Sequence, residues 1–580
     1  MSLFSSRPCH RRNLTSSDGR ANIEDTGRDA DKGAPTETSP WGPLAIPVFR
    51  WLLIASIASN VGSWMQNVGA SWLMTLLTPS PLLVALMQTA SSLPVFLVGL
   101  PAGAIADVVD RRKLLLVTQA WMLVVAALLG ALTVARLTSV WVLLTLTFLL
   151  GLGGALNAPA WQAIVPELVS RRQIVQAVSL NSAGFNLARA VGPALGGLVV
   201  AVAGPGAVFL LNAASFVGVL AVVARWQRKP VPVQGPPERV LGAIAAGTRY
   251  ARHSPSLRAV LIRAAVFIIA ASGLWALLPV VAKYDLGLDA GGYGILLGSL
   301  GLGAVAGAFL LPRIRPLMST DRLMVIATVA FAGATLALGY LHNMILLVLM
   351  LFLGGVAWMS VMSSLNVSAQ NAAPAWVRAR VLGVYLLVFQ GGMAAGSFAW
   401  GAVAGQMGHG TTLGIAAFVL LLGVPAAWRW RLHGVQNIDL TPAPPQTEPH
   451  LQITPDPEDG PVLVTVEYTV LPENASAFVS AMQRVGRMRR RTGAYRWGLF
   501  QNPAAPDHFI ETFLARSWAE HMRQHSRPTT TDRNVQQQAL AYQKPGSEPV
   551  ISHLIAAHVA PDENERATWR PAIRRPRTRK

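Results

Sequence analysis

Acidic residues are what the long apolar part of this 580-residue chain lacks. Between residues 48 and 430 the only acids are Asp107, Asp110, Glu167, Glu238, Asp285, Asp289 and Asp321. Each falls between apolar runs or at the end of one. A membrane-embedded carboxylate, the usual counter-charge for cationic cargo and for a proton relay, is therefore missing. Cysteine is nearly absent too: Cys9 is the one thiol. A single cysteine excludes an internal disulfide and a thiolate metal cluster. Charged residues of both signs make up 13% of the chain, where soluble domains carry about 25%. Residues 1–43 contain no apolar stretch, so no cleavable signal peptide is expected there. Their Ser/Arg/Asp-rich composition predicts a disordered cytoplasmic tail.

What the chain has is apolar length: 52% of it is hydrophobic. Twelve apolar runs lie near 48–75, 82–106, 114–136, 139–165, 173–202, 206–226, 258–283, 291–312, 322–340, 343–371, 379–405 and 410–430. Each is of the order of the ~20 residues that a bilayer core needs. The net charge is +20, yet the cations form no nucleic-acid-like patch. They gather in the tails and in alternate loops, including Arg111, Arg112, Lys113, Arg171, Arg172, Arg313, Arg315, Arg378 and Arg380. Seventeen basic residues stand in one set of loops, against Arg136 and Lys283 in the other. That asymmetry puts the first set and both termini in the cytoplasm, for a multi-pass protein of the inner membrane.

The sixth and seventh runs are separated by a Pro- and Arg-rich linker, 228–257, which divides the runs six plus six: 44–227 and 258–430. An internal echo supports the division. "VPELVSRR" (165–172) and "APAWVRAR" (373–380) align at an offset of 208 residues, each after the fourth run of its half. Duplicated six-helix halves around a midplane site are a transporter architecture.

Two motifs carry a family resemblance. "GAIADVVDRRK" (103–113) is similar to the signature loop of the major facilitator superfamily: Gly103, Asp107, Arg112 and Lys113 fit, while Val108 and Asp110 depart from it. The resemblance implies a twelve-helix major facilitator fold in which this loop latches the halves, with Asp107 capping a helix end and the cations complementing helix C-termini. "GPALGG" (192–197) resembles the superfamily's antiporter signature. Gly184, Ala188, Gly192 and Gly196 recur every four residues, a face for close helix packing, and Pro193 with Gly197 completes the expected hinge. "GSWMQNVGASWL" (62–73), "PAWQAIVPELV" (159–169) and "LNSAGFNLARAVGPALGG" (180–197) resemble the transmembrane secretion effector branch, which includes enterobactin exporters. One departure matters: Thr147 stands where the superfamily's proton-linked motif has arginine.

Arg189 is the one charge well inside a run. About 15 residues of helix place it roughly 22 Å from the cytoplasmic start, near midplane. It either serves packing around Pro193 or attracts an anionic group of the cargo. Arg263 and Lys283 lie near run ends, where they can snorkel. The resemblance implies that the first, fourth, seventh and tenth helices line the cavity. Candidate cargo contacts are therefore Asn60, Ser63, Trp64 and Asn67, then Asn157, Trp275, Trp358 and Asn366, joined by Arg189. Interhelical hydrogen bonding is the competing role for such side chains.

Beyond a Pro-rich linker (431–460), residues 461–560 read as strand, helix, hairpin, helix, strand: an α+β unit of ferredoxin-like order. Val462, Val464, Val466 and Tyr468 alternate, Phe478, Met482 and Val485 share a helix face, and Ser517 with Glu520 forms a capping box. The unit resembles antibiotic-biosynthesis-monooxygenase domains, which implies dimerisation through 461–560. Trp497, Asn502 and His508 are the candidates for oxygenase or haem-degrading chemistry. His521 and His525 are spaced as metal ligands can be, but no third ligand is evident, so neither metal nor cofactor is expected. A regulatory or dimerising role is favoured, because fold does not imply activity. The basic tail, 561–580, suits anionic lipid.

The expectation is a transporter rather than an enzyme. It moves a small amphipathic molecule (siderophore, metabolite or drug, with an anion favoured) outward by alternating access, as proton-coupled antiport. A membrane-anchored oxygenase is the alternative. A cation/proton drug antiporter is disfavoured by the missing carboxylates.

Overall fold

The computed structural model describes residues 39–226, 240–432, 439–444 and 453–557. The tail before residue 39, most of the two linkers and the basic tail lie outside the described residues. Five helices form the first membrane half: α1 (Pro47–Leu77), α2 (Pro81–Val108), α3 (Arg111–Val134), α4 (Val140–Leu168) and α5 (Ile174–Arg225). A short helix, α6 (Val240–His253), leads to the second half. That half holds α7 (Pro255–Val280), α8 (Ala290–Ile314), α9 (Thr320–Tyr340), α10 (Met344–Asn371), α11 (Arg378–Met407) and α12 (His409–Leu422).

Local sequence explains where these helices begin. Ser80, Ser139, Ser254 and Ser319 are N-caps whose side chains each accept the amide three residues on. Asp110, Asp289 and Asn343 do the same for α3, α8 and α10. Such caps satisfy amide donors that the helix itself leaves open. Pro47, Pro81 and Pro255 occupy the first helical position, where a missing N–H costs nothing.

Among the described residues ten helices are long and apolar enough to cross a membrane, against the twelve runs expected. The difference has two sources. The expected fifth and sixth runs are two helices that meet at a kink at Gly204, where the backbone leaves the helical conformation, and they are taken together here as α5. Gly204 has φ 78°, a conformation open to glycine and costly for other residues, and Pro205 follows it. The other is α1, whose polar side chains dilute its hydropathy; it is not among the ten.

The halves meet where α2 packs on α11 and α5 on α8. After a short helix, α13 (Ala426–Arg429), comes a small unit: β1 (Val462–Thr469), α14 (Ala475–Thr492), β2 (Arg496–Asn502), β3 (Ala505–Ala515), α15 (Trp518–Ser526), α16 (Thr530–Leu540) and β4 (Val550–Ile555). Its sheet has the order β2-β3-β1-β4, with every neighbouring pair antiparallel. Val462, Val464, Val466 and Tyr468 are buried on one face, against Phe478, Met482 and Val485 of α14. Each such side chain contributes about 1.5–3 kcal/mol on burial.

Two details depart from expectation. A second helix, α16, stands before β4, capped by a reciprocal Thr529–Asp532 box. Ser517 does cap α15 by accepting the Glu520 amide. The Glu520 carboxylate, however, turns to Arg527 and Arg249 rather than back to Ser517.

Candidate functional site

The small residues of α5 serve two neighbours. A Cβ placed on Gly184 would come within 2.6 Å of Ile57, one on Gly192 within 2.6 Å of Trp64, and one on Gly196 within 2.8 Å of the Met65 Cα. At these three positions a side chain would have to displace α1. Ala188, on the same face, is fully buried. Gly197 points the other way. Its added Cβ would meet Gly294 Cα at 2.8 Å and Ala290 O at 2.7 Å, both on α8 of the other half. Pro193 is buried, and its carbonyl abuts Gly294. The hinge and packing residues thus hold α5 between α1 and the partner half.

The same turns of α5 present Arg189. Its guanidinium carbon lies 5.8 Å from the centre of the Trp64 ring on α1, an arrangement in which the ring face attracts the cation. Its Nε is buried with no hydrogen-bond partner among the described residues. On the other side, α8 closes on the arginine's backbone, since a Cβ on Gly301 would come within 2.8 Å of Arg189 O.

Placement separates the remaining candidates. Asn60 Nδ2 donates to Ser56 O at 2.8 Å, and Ser63 Oγ donates to Ser59 O at 2.9 Å, so both bond within α1. Asn67 is exposed. Asn157 turns to α3, where its Oδ1 accepts from Thr118 at 3.0 Å and from Gln119 at 3.4 Å. Asn366 accepts from Gln370 at 2.6 Å. Trp275 and Trp358 stack edge-on with centroids 5.2 Å apart, and Trp358 is buried further among Phe267, Phe331 and Phe389. The Trp275 indole N–H is buried without a hydrogen-bond partner among the described residues. Two pairs are therefore assembled, Arg189 with Trp64 and Trp275 with Trp358, and each includes a buried, unpaired donor.

The charges near helix ends do not snorkel. Arg263 is 7% exposed and forms an ion pair with Asp321. The Lys283 ammonium donates to Thr75 O of α1, and Tyr284 Oη donates to the same carbonyl at 2.8 Å. These bonds cross between the halves, at the end opposite the basic loops. Trp72 and Tyr293 also stack there, 5.9 Å apart. Sequence reading missed the α1–α5 bond from Asn212 to Gln66; its signal was two amides inside apolar runs.

At the basic end, Asp110 caps α3 by accepting the Lys113 amide at 3.0 Å. Arg112 donates to Val223 O at 3.1 Å and to Ala224 O at 2.6 Å, the last carbonyls of α5. Arg111 pairs with Glu167 of α4 at 2.6 Å. The space around Gly103 is open. Asp107 lies in the last turn of α2, and its side chain is outside the described residues.

The sequence profile of the transmembrane secretion effectors matches residues 38–560. The chain belongs to that family. It is a multi-pass membrane transporter of the major facilitator superfamily, not an enzyme. The multidrug efflux pump Tap of Mycolicibacterium fortuitum is 27% identical over 70% of this chain and 98% of its own. The staphyloferrin A transporter of Staphylococcus aureus is 22% identical over 58% of this chain and 85% of its own. The enterobactin exporter EntS of Shigella boydii is 26% identical over 65% and 90%. Two solved structures share the fold at 14% identity. A mutant of the nucleoside transporter NupG has a TM-score of 0.56, covering 66% of this chain and 100% of that one. An inward-facing, occupied bacterial Spinster homologue has a TM-score of 0.54, covering 67% and 97%.

In this transporter the C-terminal unit is seated on the membrane part. Arg527 lies 4.5 Å from the Trp376 ring centre, in the α10–α11 connection. Arg249 of α6 pairs with Glu520 at 2.9 Å. Burial opposes ionisation of Glu520, but the hydrogen bond and charge of Arg527, then the charges of Arg249 and Arg523, outweigh it and hold the carboxyl below its ordinary value. Inside the unit Glu511 is fully buried. It accepts from Tyr468 at 2.8 Å, Trp497 Nε1 at 2.8 Å and Arg489 at 3.2 Å.

The oxygenase candidates do not converge. Trp497 is occupied by Glu511 and packs on Gly486. Asn502 accepts the Ala504 amide in the hairpin turn. Four residues lie between Trp497 and Asn502 along β2, a rise of about 17 Å, with a register shift just before Asn502. His508 is exposed. The histidine pair, by contrast, gains the third partner that sequence did not reveal: His521, His525 and His553 each place a ring nitrogen within 4.8 Å of the others. Burial above all, then His525, His553 and Arg489, pushes the His521 pKa down to about 3, so its ring is neutral at ordinary pH.

Proposed function

We propose that this transporter exports a small amphipathic anion from the cytoplasm across the inner membrane by alternating access, as proton-coupled antiport. The observation that carries the reading is Arg189. It is a half-buried cation over an aromatic face, its Nε has no hydrogen-bond partner among the described residues, and no helix interior of the membrane part holds an acid. A cargo carboxylate, catecholate or phosphate supplies the missing counter-charge. Trp64, Trp275 and Trp358 supply apolar surface for the rest of an amphipathic molecule, with Asn60, Ser63, Asn67, Asn157 and Asn366 on the first, fourth and tenth helices as polar neighbours.

In this reading α1 and both parts of α5 bring the spans to twelve, and the basic loops and both termini face the cytoplasm. The bonds from Lys283 and Tyr284 to Thr75 then seal the outer end. Gly103, Asp107, Arg112 and Lys113 form the latch. The strand order of the C-terminal unit supports a ferredoxin-like fold. Its helix-free sheet face exposes Phe500 and Leu554, which suits pairing with a second copy. The names of two relatives, a multidrug efflux pump and an enterobactin exporter, support outward movement.

The test is transport in proteoliposomes. The probes are an anionic catecholate and a neutral analogue of equal size, each with and without an imposed pH gradient. The expected result is gradient-driven movement of the anion in preference to the neutral analogue. Movement that ignores the gradient removes antiport. A chain ending at residue 440 that still exports removes any need for the C-terminal unit in transport.

A further inference from the structure

Three histidines from separate stretches of chain meet in the C-terminal unit. His521 and His525 stand one turn apart on α15, so both rings leave the same helix face. His553 lies on β4 opposite Val464, which is buried on the sheet face that carries the helices. The ring centroids are 4.7 Å apart for His521 and His525 and 4.9 Å apart for His521 and His553.

The spacing is that of a chelate. The Nε2 atoms of His521 and His525 are 3.2 Å apart. Two nitrogens bound at ~2.0–2.1 Å to a tetrahedral ion stand about 3.3–3.4 Å from each other. The third ring stands beside them, with one nitrogen from each of the three within 4.8 Å of the others, so binding would draw it in by about 1 Å to reach the ~3.4 Å of a bound pair. His521 Nδ1 is buried without a hydrogen-bond partner among the described residues. The 3.2 Å pair uses the Nε2 of this ring, so Nδ1 stands outside the chelate and the geometry of the three rings carries the site.

The surroundings are apolar and cationic. Trp518 packs against His521 at 5.4 Å and against His553 at 6.2 Å, Phe513 lies 6.5 Å from His521, and the charge of Arg489 also reaches that ring. His521 is buried, while His525 and His553 are half-buried, which leaves an entry from solvent.

We propose that His521, His525 and His553 form a binding site for a divalent transition metal of the zinc class. Imidazole nitrogens suit such ions, and three protein ligands leave the fourth position to water or an external donor. The ion would clip edge strand β4 to α15. That helix also carries Glu520, which grips Arg249 of α6, so loading the site stiffens the joint between the C-terminal unit and the membrane part.

The test uses the full chain in detergent, purified without a polyhistidine tag. Co²⁺ is added as the spectroscopic probe and Zn²⁺ as its competitor. The expected result is one Co²⁺ per chain with the visible absorption of a tetrahedral nitrogen site, displaced by one equivalent of Zn²⁺. His525→Gln and His553→Gln, chosen because both rings are half-buried, should each weaken binding at least about tenfold, since even outer partners of metal ligands change affinity 10–100-fold. His508→Gln is the control and should bind as wild type, with unchanged circular dichroism throughout. Absence of saturable binding, or equal binding in both ligand variants and wild type, overturns the site and leaves the 3.2 Å contact an imidazole–imidazole hydrogen bond.

Discussion

Arg189 and Trp64, on different helices of the same half, hold a guanidinium 5.8 Å from a ring centre. The ring orients a cation that has no acidic partner among the described residues. A cation–π contact of this kind is worth about 0.5–2 kcal/mol. Trp64→Ala should therefore raise the KM for an anionic cargo about 2- to 30-fold, and Trp64→Phe should recover most of that. Transport assays in proteoliposomes read the difference. Equal KM in both variants would mean that the ring does not position the arginine.

Gly197 and Gly294 bring the two halves into backbone contact. In Gly197→Val the added Cβ would lie 2.8 Å from Gly294 Cα and 2.7 Å from Ala290 O. Overpacking of this sort typically costs about 1–3 kcal/mol, and here the cost falls on the state in which this end is closed. The variant should spend more time open at the Thr75–Lys283 end. Cys9 is the sole cysteine, so a Cys9→Ser chain carrying Ser71→Cys gives one labelling site. Faster reaction of that site with an impermeant maleimide is expected, and an unchanged rate would count against the glycine contact as a gate.

Trp376 is the point where the C-terminal unit meets the α10–α11 connection. Trp376→Ala removes the surface under Arg527, and Glu520→Gln weakens the pair with Arg249. Each should loosen the seat of the unit, seen as faster amide exchange in α6 and α15. The double variant should differ from the sum of the two, because Arg527 contacts both residues. Additive effects would show that the contacts act independently.

Glu511 is a fully buried carboxylate shared by Tyr468, Trp497 and Arg489. Glu511→Ala leaves Arg489 uncompensated. Breaking a buried pair in this way costs about 3–5 kcal/mol, a large part of a small domain's stability. Proteolysis should then remove the C-terminal unit while the membrane part stays intact. Resistance equal to wild type would show that the network contributes little.

Much of this architecture was legible in sequence, for identifiable reasons. Apolar runs bounded by charges, Pro and Gly marked the helices, and the Ser, Asp and Asn caps that start them are local chemistry too. The kink at Gly204 fell in the gap between two expected runs, because a Gly-Pro pair breaks a helix locally and so is readable in sequence. The period-four glycines of α5 gave a face, but not that α1 fills it while Gly197 serves α8. Arg263 and Lys283 looked like snorkelling cations, because their partners, Asp321 and Thr75 O, are 58 and 208 residues away. His553 was invisible as a ligand for the same reason: strand register brings it to α15. In the echo of the two halves, Trp376 stands where the first half has Leu168. That exchange was readable, but its use by Arg527 needed the fold.

The central claim is that Arg189 meets the anionic group of the cargo. The direct test is the ratio of anionic to neutral cargo uptake in proteoliposomes, measured for wild type, Arg189→Lys and Arg189→Gln. The account predicts that Arg189→Gln loses anion transport at least tenfold while transport of the neutral cargo persists, with Arg189→Lys in between. Equal loss of both cargoes in Arg189→Gln would contradict it and make Arg189 a packing residue of α5.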